Sequence, residues 1–386
     1  MDNHQTKHVI SISILLSAII ISNPTLASNG CDFPAIFNFG DSNSDTGGLS
    51  ASIMETLSPF GMTFFKRPAG RFSDGRLIID FIAQSIGLPF LHAYLDSLRA
   101  NFSNGANFAT AASTIRLPNT TIFQGGVSPF SLDVQWWQFT QFKSRSQLDY
   151  NQEGVFKELV PKKDYFSRAL YTFDIGQNDL TAVNFLNMTK EEVATGITAI
   201  LSDFTAVVKN VYGEGARSFW IHNTGPIGCL AYVLDPTPFT DAQIDDAGCA
   251  IPWNELAQHF NKKLNETIVQ LRMDLPLAAF TYVDVYSVKY TLFSKAEKLG
   301  FKHPLIVCCG RGGKYNYSSS SRCGSTVVVN GTASIVGACN DPSVRINWDG
   351  VHYTEAANKW VFDQIVDGAF SDPPIPLKMA CRKVAH

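Results

Sequence analysis

Ala35-Ile36-Phe37-Asn38-Phe39-Gly40-Asp41-Ser42 is an apolar run that stops at a glycine, an acid and a serine. Its length and composition are typical of a buried β-strand, and Gly40 predicts a tight turn directly after it. Open α/β sheets bind ligands at the carboxyl ends of their strands, so Ser42 is a candidate nucleophile at that edge. The structural alternative is that Asp41 and Ser42 cap a helix.

The remainder of the chain alternates short apolar segments with longer helix-like stretches. This order predicts an α/β fold with a central, mainly parallel five-stranded sheet covered by helices on both faces. The predicted strands are 35–39, 107–111, 169–175, 218–222 and 280–283. The predicted helices are 75–86, 132–147, 190–212, 241–275 and 354–366. Thr189 and Glu192 predict a capping box at the start of the third helix.

A second polar segment, Trp348-Asp349-Gly350-Val351-His352, precedes the last predicted helix. An aspartate three residues before a histidine, across a glycine turn, can orient the imidazole while its other nitrogen faces a nucleophile. Asp349 and His352 are therefore the candidate proton-handling pair. A helix cap or a surface ion pair is the alternative explanation for this spacing.

Two further residues open or follow predicted strands and could donate hydrogen bonds to an oxyanion. Acyl transfer needs such donors around the tetrahedral intermediate, and a glycine N–H and an asparagine amide can supply them. The candidates are Gly105 and Asn178. Each of them could equally be an ordinary turn residue.

Taken in chain order, these segments resemble the conserved blocks of the plant GDSL esterase/lipase family of SGNH hydrolases, from Phe37 to Glu355. The resemblance implies a three-layer α/β/α SGNH fold and no metal or organic cofactor. It also implies a catalytic group of Ser42, Asp349 and His352. The implied oxyanion donors are Ser42, Gly105 and Asn178.

One departure from the family pattern bears on its subdivision. Asn43 replaces the leucine that gives the family its name, as in the sub-branch with early nodulin-specific and acetylesterase-like members. The G-x-S-x-G elbow of α/β-hydrolases is absent, because Ser44 occupies the place of its second glycine. The resemblance to that sub-branch favours short-chain, acetyl-type esters as substrates.

The ends and the composition predict a secreted protein. Lys7 and His8 precede the uncharged run 9–21, which is too short to span a bilayer, so 1–27 is interpreted as a cleaved signal peptide and 28–386 as one hydrolase domain. Eight cysteines predict disulfides, with local closure between Cys229 and Cys249 and within 308–339, and their spacing does not suggest zinc. The candidate N-glycosylation sites are Asn101, Asn119, Asn187, Asn265, Asn316 and Asn330.

The predicted function is a secreted serine ester hydrolase that acts through an acyl-enzyme on Ser42. A net charge of −3 makes nucleic acid an unsuitable partner, and no stable membrane anchor is expected. The expected partner is a small-molecule or glycan-linked ester in the cell wall or apoplast. Two alternatives stay open: an extracellular acyltransferase with the same acyl-enzyme, and a non-catalytic, glycan-binding protein of the same fold.

Overall fold

The central sheet has six strands in the order β2-β1-β3-β4-β5-β8, and the first five are parallel. The computed structural model describes residues 30–382 except 97, 99, 119–126, 153 and 183–187. Strands β6 and β7 form a separate antiparallel hairpin. The strands are β1 Ile36–Gly40, β2 Gly105–Asn107, β3 Leu170–Asp174, β4 Ser218–His222, β5 Ala279–Val283, β6 Thr326–Val329, β7 Thr332–Ile335 and β8 Ser371–Asp372.

The predicted parallel α/β sheet is confirmed, with two corrections. The second strand was predicted at residues 107–111 but spans Gly105–Asn107. It ends there because residues 108–114 turn over the carboxyl end of β1. The sixth strand, β8, pairs antiparallel with β5 and has two residues. A strand of that length leaves no readable alternation of apolar and polar residues in the sequence.

Two groups of helices cover the sheet: α3, α6 and α8 pack together, and so do α2, α9 and α10. The predicted helix 241–275 begins only at Ile251, because Pro252 occupies its first turn and Cys249 just before it is held by a disulfide. The described helices are α1 Gly48–Ser52, α2 Ile78–Ser85, α3 Leu132–Asn151, α4 Tyr165–Arg168, α5 Gln177–Leu180, α6 Lys190–Gly213, α7 Ala231–Leu234, α8 Ile251–Asp274, α9 Val285–Ser294 and α10 Glu355–Ile365.

Aromatic packing fixes α3 against the strand that leads to Ser42. Phe139 on α3 lies edge-on to Phe37 and Phe39 of β1, at centroid distances of 5.3 and 5.7 Å. All three rings are fully buried, and burial of each stabilises the fold by about 1.5–3 kcal/mol. The capping box predicted at the start of α6 is confirmed, since Thr189 and Glu192 each bond the other's backbone N–H.

All eight cysteines form disulfides. The predicted closure of Cys229 with Cys249 is confirmed, and two bridges close the segment 308–339. The fourth joins residues 350 positions apart and ties the two ends of the unit Cys31–His386 together. The bridges are Cys31–Cys381, Cys229–Cys249, Cys308–Cys339 and Cys309–Cys323. None of the helices in the described ranges has the length and hydropathy needed to span a bilayer.

Candidate active site

The turn that carries Ser42 is held tightly at the carboxyl end of β1. A Cβ atom on Gly40 would lie 2.4 Å from the Asp174 carbonyl oxygen, so only glycine fits between β1 and β3. The buried amide of Gln135 on α3 accepts a bond from the Gly40 N–H at 2.9 Å and donates one to its carbonyl at 2.8 Å. The turn is therefore anchored to both neighbouring elements before Ser42 is reached.

Asp45 joins this turn to the loop that follows β2. The side chain is fully buried and accepts bonds from the N–H groups of Gly47 and Gly48 at the start of α1. Its second oxygen accepts a bond from Ala111 N at 2.7 Å. Burial raises the pKa of Asp45, and its backbone hydrogen bonds oppose that rise. Asp45 thus holds residues 109–113 alongside Ser42.

Asp349 and His352 form the pair that their spacing predicts. His352 Nδ1 lies 2.7 Å from Asp349 Oδ2, while Asp349 Oδ1 accepts bonds from the N–H groups of Val351 and His352. Burial disfavours the ionised carboxylate, but the charge of His352 and these hydrogen bonds outweigh it and lower the pKa of Asp349. Asp349 is therefore ionised at neutral pH and can stabilise an imidazolium.

The other nitrogen of the imidazole is available for chemistry. His352 Nε2 is buried and has no hydrogen-bond partner among the residues that the structure describes. The loop that carries the imidazole lies at the carboxyl end of the sheet, since a Cβ atom on Gly225, three residues after β4, would lie 3.6 Å from the hydroxyl of Tyr353. No hydrogen bond joins the Ser42 hydroxyl to His352 Nε2 in this arrangement, because Nε2 has no partner among the described residues. The pair can accept a proton from a hydroxyl that moves into reach of Nε2.

Asn178 lies at the same sheet edge, on the short helix α5 after β3. Its Nδ2 donates to the Ser113 carbonyl at 2.8 Å, and an amide nitrogen has a second N–H to give. The neighbouring Asp179 accepts bonds from the N–H groups of Ile115 and Arg116. Burial raises the pKa of Asp179 to about 7, although these hydrogen bonds lower it. Asn178 and Asp179 together hold the loop 113–116.

Gly105 does not reach the site, so its prediction as an oxyanion donor is wrong. It pairs with Ile36 at the amino end of β1, and four strand steps, about 13 Å, separate Ile36 from Gly40. Its N–H already donates to the Phe102 carbonyl at 2.9 Å. Glycine is required there because a Cβ atom would lie 1.9 Å from the Ile36 carbonyl oxygen. The role of Gly105 is the close approach of β2 to β1.

Ala112, in the loop after β2, is a second residue whose backbone N–H is free among the described residues. Its backbone is left-handed, with φ of 62°. The two residues before it are bonded to the Ser42 turn, through Thr110 N to the Gly40 carbonyl and Ala111 N to Asp45. Within the described ranges, the N–H groups of Ser42 and Ala112 have no acceptor. Two backbone donors without acceptors thus lie in the Ser42 turn and in the loop bonded to it.

Sequence reasoning missed Gln135, Asp45 and Ala112 for different reasons. Gln135 lies in the predicted helix 132–147, and a polar residue among buried positions was the available signal. Asp45 precedes two glycines, a pattern that also fits a surface turn. Ala112 has no side-chain signal, because its donor is the backbone. In the described part of the chain, no cluster of three or more His, Cys, Asp or Glu side chains could hold a metal ion.

Comparison with known proteins identifies the family. The model for GDSL-like lipase/acylhydrolase matches residues 36–365. A GDSL esterase/lipase of Arabidopsis thaliana is 57% identical over 98% of this chain and all of its own length. An esterase of Hevea brasiliensis is 60% identical over 97% of this chain and 95% of its own. A protein named alpha-L-fucosidase 3, from Arabidopsis thaliana, is 52% identical over 97% of this chain and 99% of its own. The chain belongs to the plant GDSL esterase/lipase family and is a carboxylic ester hydrolase.

Proposed function

We propose that this ester hydrolase is secreted and cleaves short-chain acyl esters through an acyl-enzyme on Ser42. The observation that supports it most is the 2.7 Å contact between Asp349 and His352, with Nε2 left unpartnered at the edge where the Ser42 turn lies. A carboxylate, an imidazole and a hydroxyl so ordered are the parts of a serine hydrolase.

Acylation follows from these positions. The Ser42 Oγ attacks the ester carbonyl carbon as its proton passes to His352 Nε2, and the ionised Asp349 stabilises the imidazolium. The tetrahedral intermediate carries its negative charge on the former carbonyl oxygen. Collapse breaks the bond to the alcohol, which leaves with the proton from Nε2. Ser42 then carries the acyl group as an ester.

Deacylation repeats the sequence with water. His352 Nε2 removes a proton from water, which attacks the acyl-enzyme, and the proton returns to Ser42 Oγ as the acid is released. In both halves the oxyanion is bound by the N–H groups of Ser42 and Ala112 and by the Asn178 amide. One such donor is worth about a hundredfold to a thousandfold in rate.

Crowding at the site favours a small acyl group. Ser42 is 5% exposed and His352 8% exposed. The Phe72 ring packs on the imidazole, with centroids 5.2 Å apart. An acyl chain between these groups has little open space to occupy, which agrees with the acetyl-type substrates of the resembling sub-branch.

Fluorophosphonate labelling tests the nucleophile. The wild-type protein should be labelled and Ser42→Ala should not. Ser44→Ala is the matched control, because Ser44 is a buried serine of the same turn whose hydroxyl has no partner among the described residues. Equal labelling of Ser42→Ala and wild type would reject the mechanism, and no labelling of either would favour the non-catalytic alternative.

Rates on p-nitrophenyl esters of increasing chain length test the substrate. Acetate and butyrate esters should turn over faster than esters of long fatty acids, and His352→Ala should be inactive on all of them. Faster cleavage of long chains would refute the small acyl site. Adding an acceptor alcohol to the same assay measures acyl transfer against hydrolysis, because both reactions share the acyl-enzyme.

The relative named alpha-L-fucosidase 3 calls for one further assay. Glycoside hydrolysis normally uses two opposed carboxylates, whereas the proposed mechanism uses a serine and a histidine. p-Nitrophenyl fucoside should therefore not be cleaved. Cleavage that persists in Ser42→Ala would indicate a second activity.

Secretion is supported by four disulfides, which form in oxidising compartments. The predicted signal segment 1–27 lies outside the described residues. Amino-terminal sequencing of protein recovered from the medium of expressing plant cells should begin near residue 28. An intact Met1 on protein confined to the cytosol would contradict the proposal.

A further inference from the structure

A row of buried polar side chains crosses three strands of the central sheet. Thr172 of β3, Asn38 of β1 and Asn107 of β2 are paired across the strands, and each is at most 3% exposed. Thr172 Oγ1 donates to Asn38 Oδ1 at 2.6 Å, and Asn38 Nδ2 donates to Asn107 Oδ1 at 2.7 Å. Burying polar groups costs free energy unless they are hydrogen-bonded, so packing alone does not account for this row.

The side chain of Asn107, at the end of the row, forms four hydrogen bonds, which is the full capacity of an amide. Its Oδ1 accepts from Asn38 and also from the Ala109 N–H, at 2.9 Å. Its Nδ2 donates to the Ser44 carbonyl at 2.7 Å and to Thr46 Oγ1 at 2.9 Å. The Ser44 carbonyl accepts a second, longer bond from Asn38 Nδ2, at 3.3 Å. A backbone N–H can only donate and a carbonyl can only accept, so Ala109 and Ser44 fix the orientation of the Asn107 amide.

The two backbone partners of Asn107 belong to the segments that carry the proposed oxyanion donors. Ser44 lies two residues after Ser42 in its turn, and Ala109 lies three residues before Ala112 in the loop after β2. In the proposed mechanism the N–H groups of Ser42 and Ala112 bind the same oxyanion, so the distance between these two groups must be fixed. One side chain, that of Asn107, contacts both segments.

Asp45 links the same two segments at a different place. Its carboxylate accepts N–H groups from the start of α1 and from Ala111. Asn107 instead binds the Ser44 carbonyl, on the side of the turn that is nearer in the chain to the nucleophile candidate. The turn and the loop are therefore joined at two points, which restricts rotation of one relative to the other.

We infer that Asn107 is a positioning residue for the oxyanion hole, which sets the distance between the N–H groups of Ser42 and Ala112 through its bonds to both segments. This inference rests on the proposed role of those two N–H groups. A displacement of about 1 Å can cost about a hundredfold in rate, and loss of one oxyanion donor costs about a hundredfold to a thousandfold. Breaking the link should therefore lower kcat, while the KM for the ester changes little, because the oxyanion exists only after attack on the carbonyl.

The experiment measures kcat and KM on p-nitrophenyl acetate for Asn107→Ala and Asn107→Ser. Alanine removes all four bonds, whereas serine keeps a polar atom in the row but is too short to contact both segments. Both variants should lose about tenfold to a hundredfold in kcat, with KM changed by less than about threefold. Thermal unfolding shows which variants are folded, and Asn107→Ser serves if Asn107→Ala is not.

Asn254→Ala is the matched control. Asn254 is also a buried asparagine, and its Oδ1 accepts the Gly228 N–H at 2.9 Å. Its side-chain bonds within the described ranges do not reach the Ser42 turn or the loop 109–112. Asn254→Ala should therefore lower the melting temperature, as the Asn107 variants do, but keep kcat within about twofold of wild type.

Two readouts separate positioning from a general loss of structure. A trifluoromethyl ketone adds to the serine hydroxyl and places an oxyanion in the hole, so its inhibition constant should rise by the same factor as kcat/KM falls. Hydrogen exchange followed by mass spectrometry reports on the two segments directly. In Asn107→Ser, exchange should become faster in both 40–48 and 108–114, and in Asn254→Ala it should become faster in neither.

Three results would overturn the inference. They are wild-type kcat in a folded Asn107 variant, faster exchange in only one of the two segments, and an equal loss of kcat in Asn254→Ala. Failed fluorophosphonate labelling of the wild-type protein would overturn the proposed function instead. The exchange measurement needs no turnover, so it tests the link between the segments even in that case.

Discussion

Replacing Asp349 by asparagine should abolish the base function of His352 without moving the imidazole. Asp349 Oδ1 already accepts the N–H groups of Val351 and His352, at 3.0 and 2.9 Å. An amide oxygen can keep both bonds, so the new NH₂ group takes the place of Oδ2, 2.7 Å from His352 Nδ1. Two N–H donors cannot face each other there. Nδ1 must therefore accept, and the proton moves to Nε2.

The size of the expected loss in kcat follows from this change of the His352 tautomer. A histidine protonated at Nε2 cannot take the Ser42 proton, and the neutral amide no longer stabilises an imidazolium. The wrong tautomer lowers kcat about 10⁴-fold in serine protease triads, which corresponds to about 5 kcal/mol of transition-state stabilisation. We expect Asp349→Asn to lose a similar factor, with KM changed by less than about threefold.

Steady-state hydrolysis of p-nitrophenyl acetate measures this loss, and thermal unfolding shows that the variant is folded. Asp341→Asn is the matched control, because Asp341 also accepts a backbone N–H at the start of a short helical turn but is exposed. It should retain wild-type activity. A loss below tenfold in folded Asp349→Asn would refute the assigned role of the carboxylate.

Two further predictions concern pH and glycosylation. Asp179 has a folded-state pKa of about 7 against an ordinary 3.8, so its ionisation destabilises the folded protein progressively as pH rises across that window, by about 4 kcal/mol at most. Asp179→Asn should therefore gain stability relative to wild type between pH 5 and pH 8 in urea unfolding, and a constant difference would contradict this. Asn101 and Asn330 are exposed and should carry glycans. The Asn316 amide donates to the Val307 carbonyl at 2.9 Å, so Asn316 should not carry one. Peptide mapping after enzymatic deglycosylation checks all three asparagines, and a glycan on Asn316 would count against the argument.

The sequence predicted the strand cores well because each is a short apolar run between polar turns. Residues 218–222 were predicted with the observed limits of β4, and β1 is displaced by one residue. Helix α9 was missed because its ten residues follow β5 directly, and the buried Lys289 interrupts its apolar face. An isolated lysine in a sequence suggests solvent, and only the tertiary structure shows that Lys289 is buried, with its Nζ over the Tyr353 ring.

The site was predictable where chemistry requires a particular side chain and unpredictable where it requires a backbone atom. The carboxylate–imidazole contact between Asp349 and His352 could be inferred from their spacing and turn. Gly105 was misassigned because a glycine can either allow two strands to pack closely or donate its backbone N–H to an oxyanion. The surrounding sequence does not distinguish these two roles. Ala112, the proposed second donor, could not be found from the sequence, since any residue that tolerates a left-handed backbone would present the same N–H.

The loop that carries His352 owes its position to residues with no part in the proposed chemistry. Cys308 and Cys309 donate their N–H groups to the carbonyls of Asn347 and Trp348, so two disulfides anchor the segment before Asp349. On the other side, the Tyr317 ring packs directly on Gly350. A Cβ atom added to Gly350 would lie 2.4 Å from Tyr317 Cδ2. The proposed catalysis by a pair 307 and 310 positions beyond Ser42 needs such external supports, because an error of about 1 Å can cost a hundredfold in rate. We therefore interpret the disulfide-closed segment 308–339 as a scaffold for the proposed Asp349–His352 pair, although none of its side chains needs to touch a substrate.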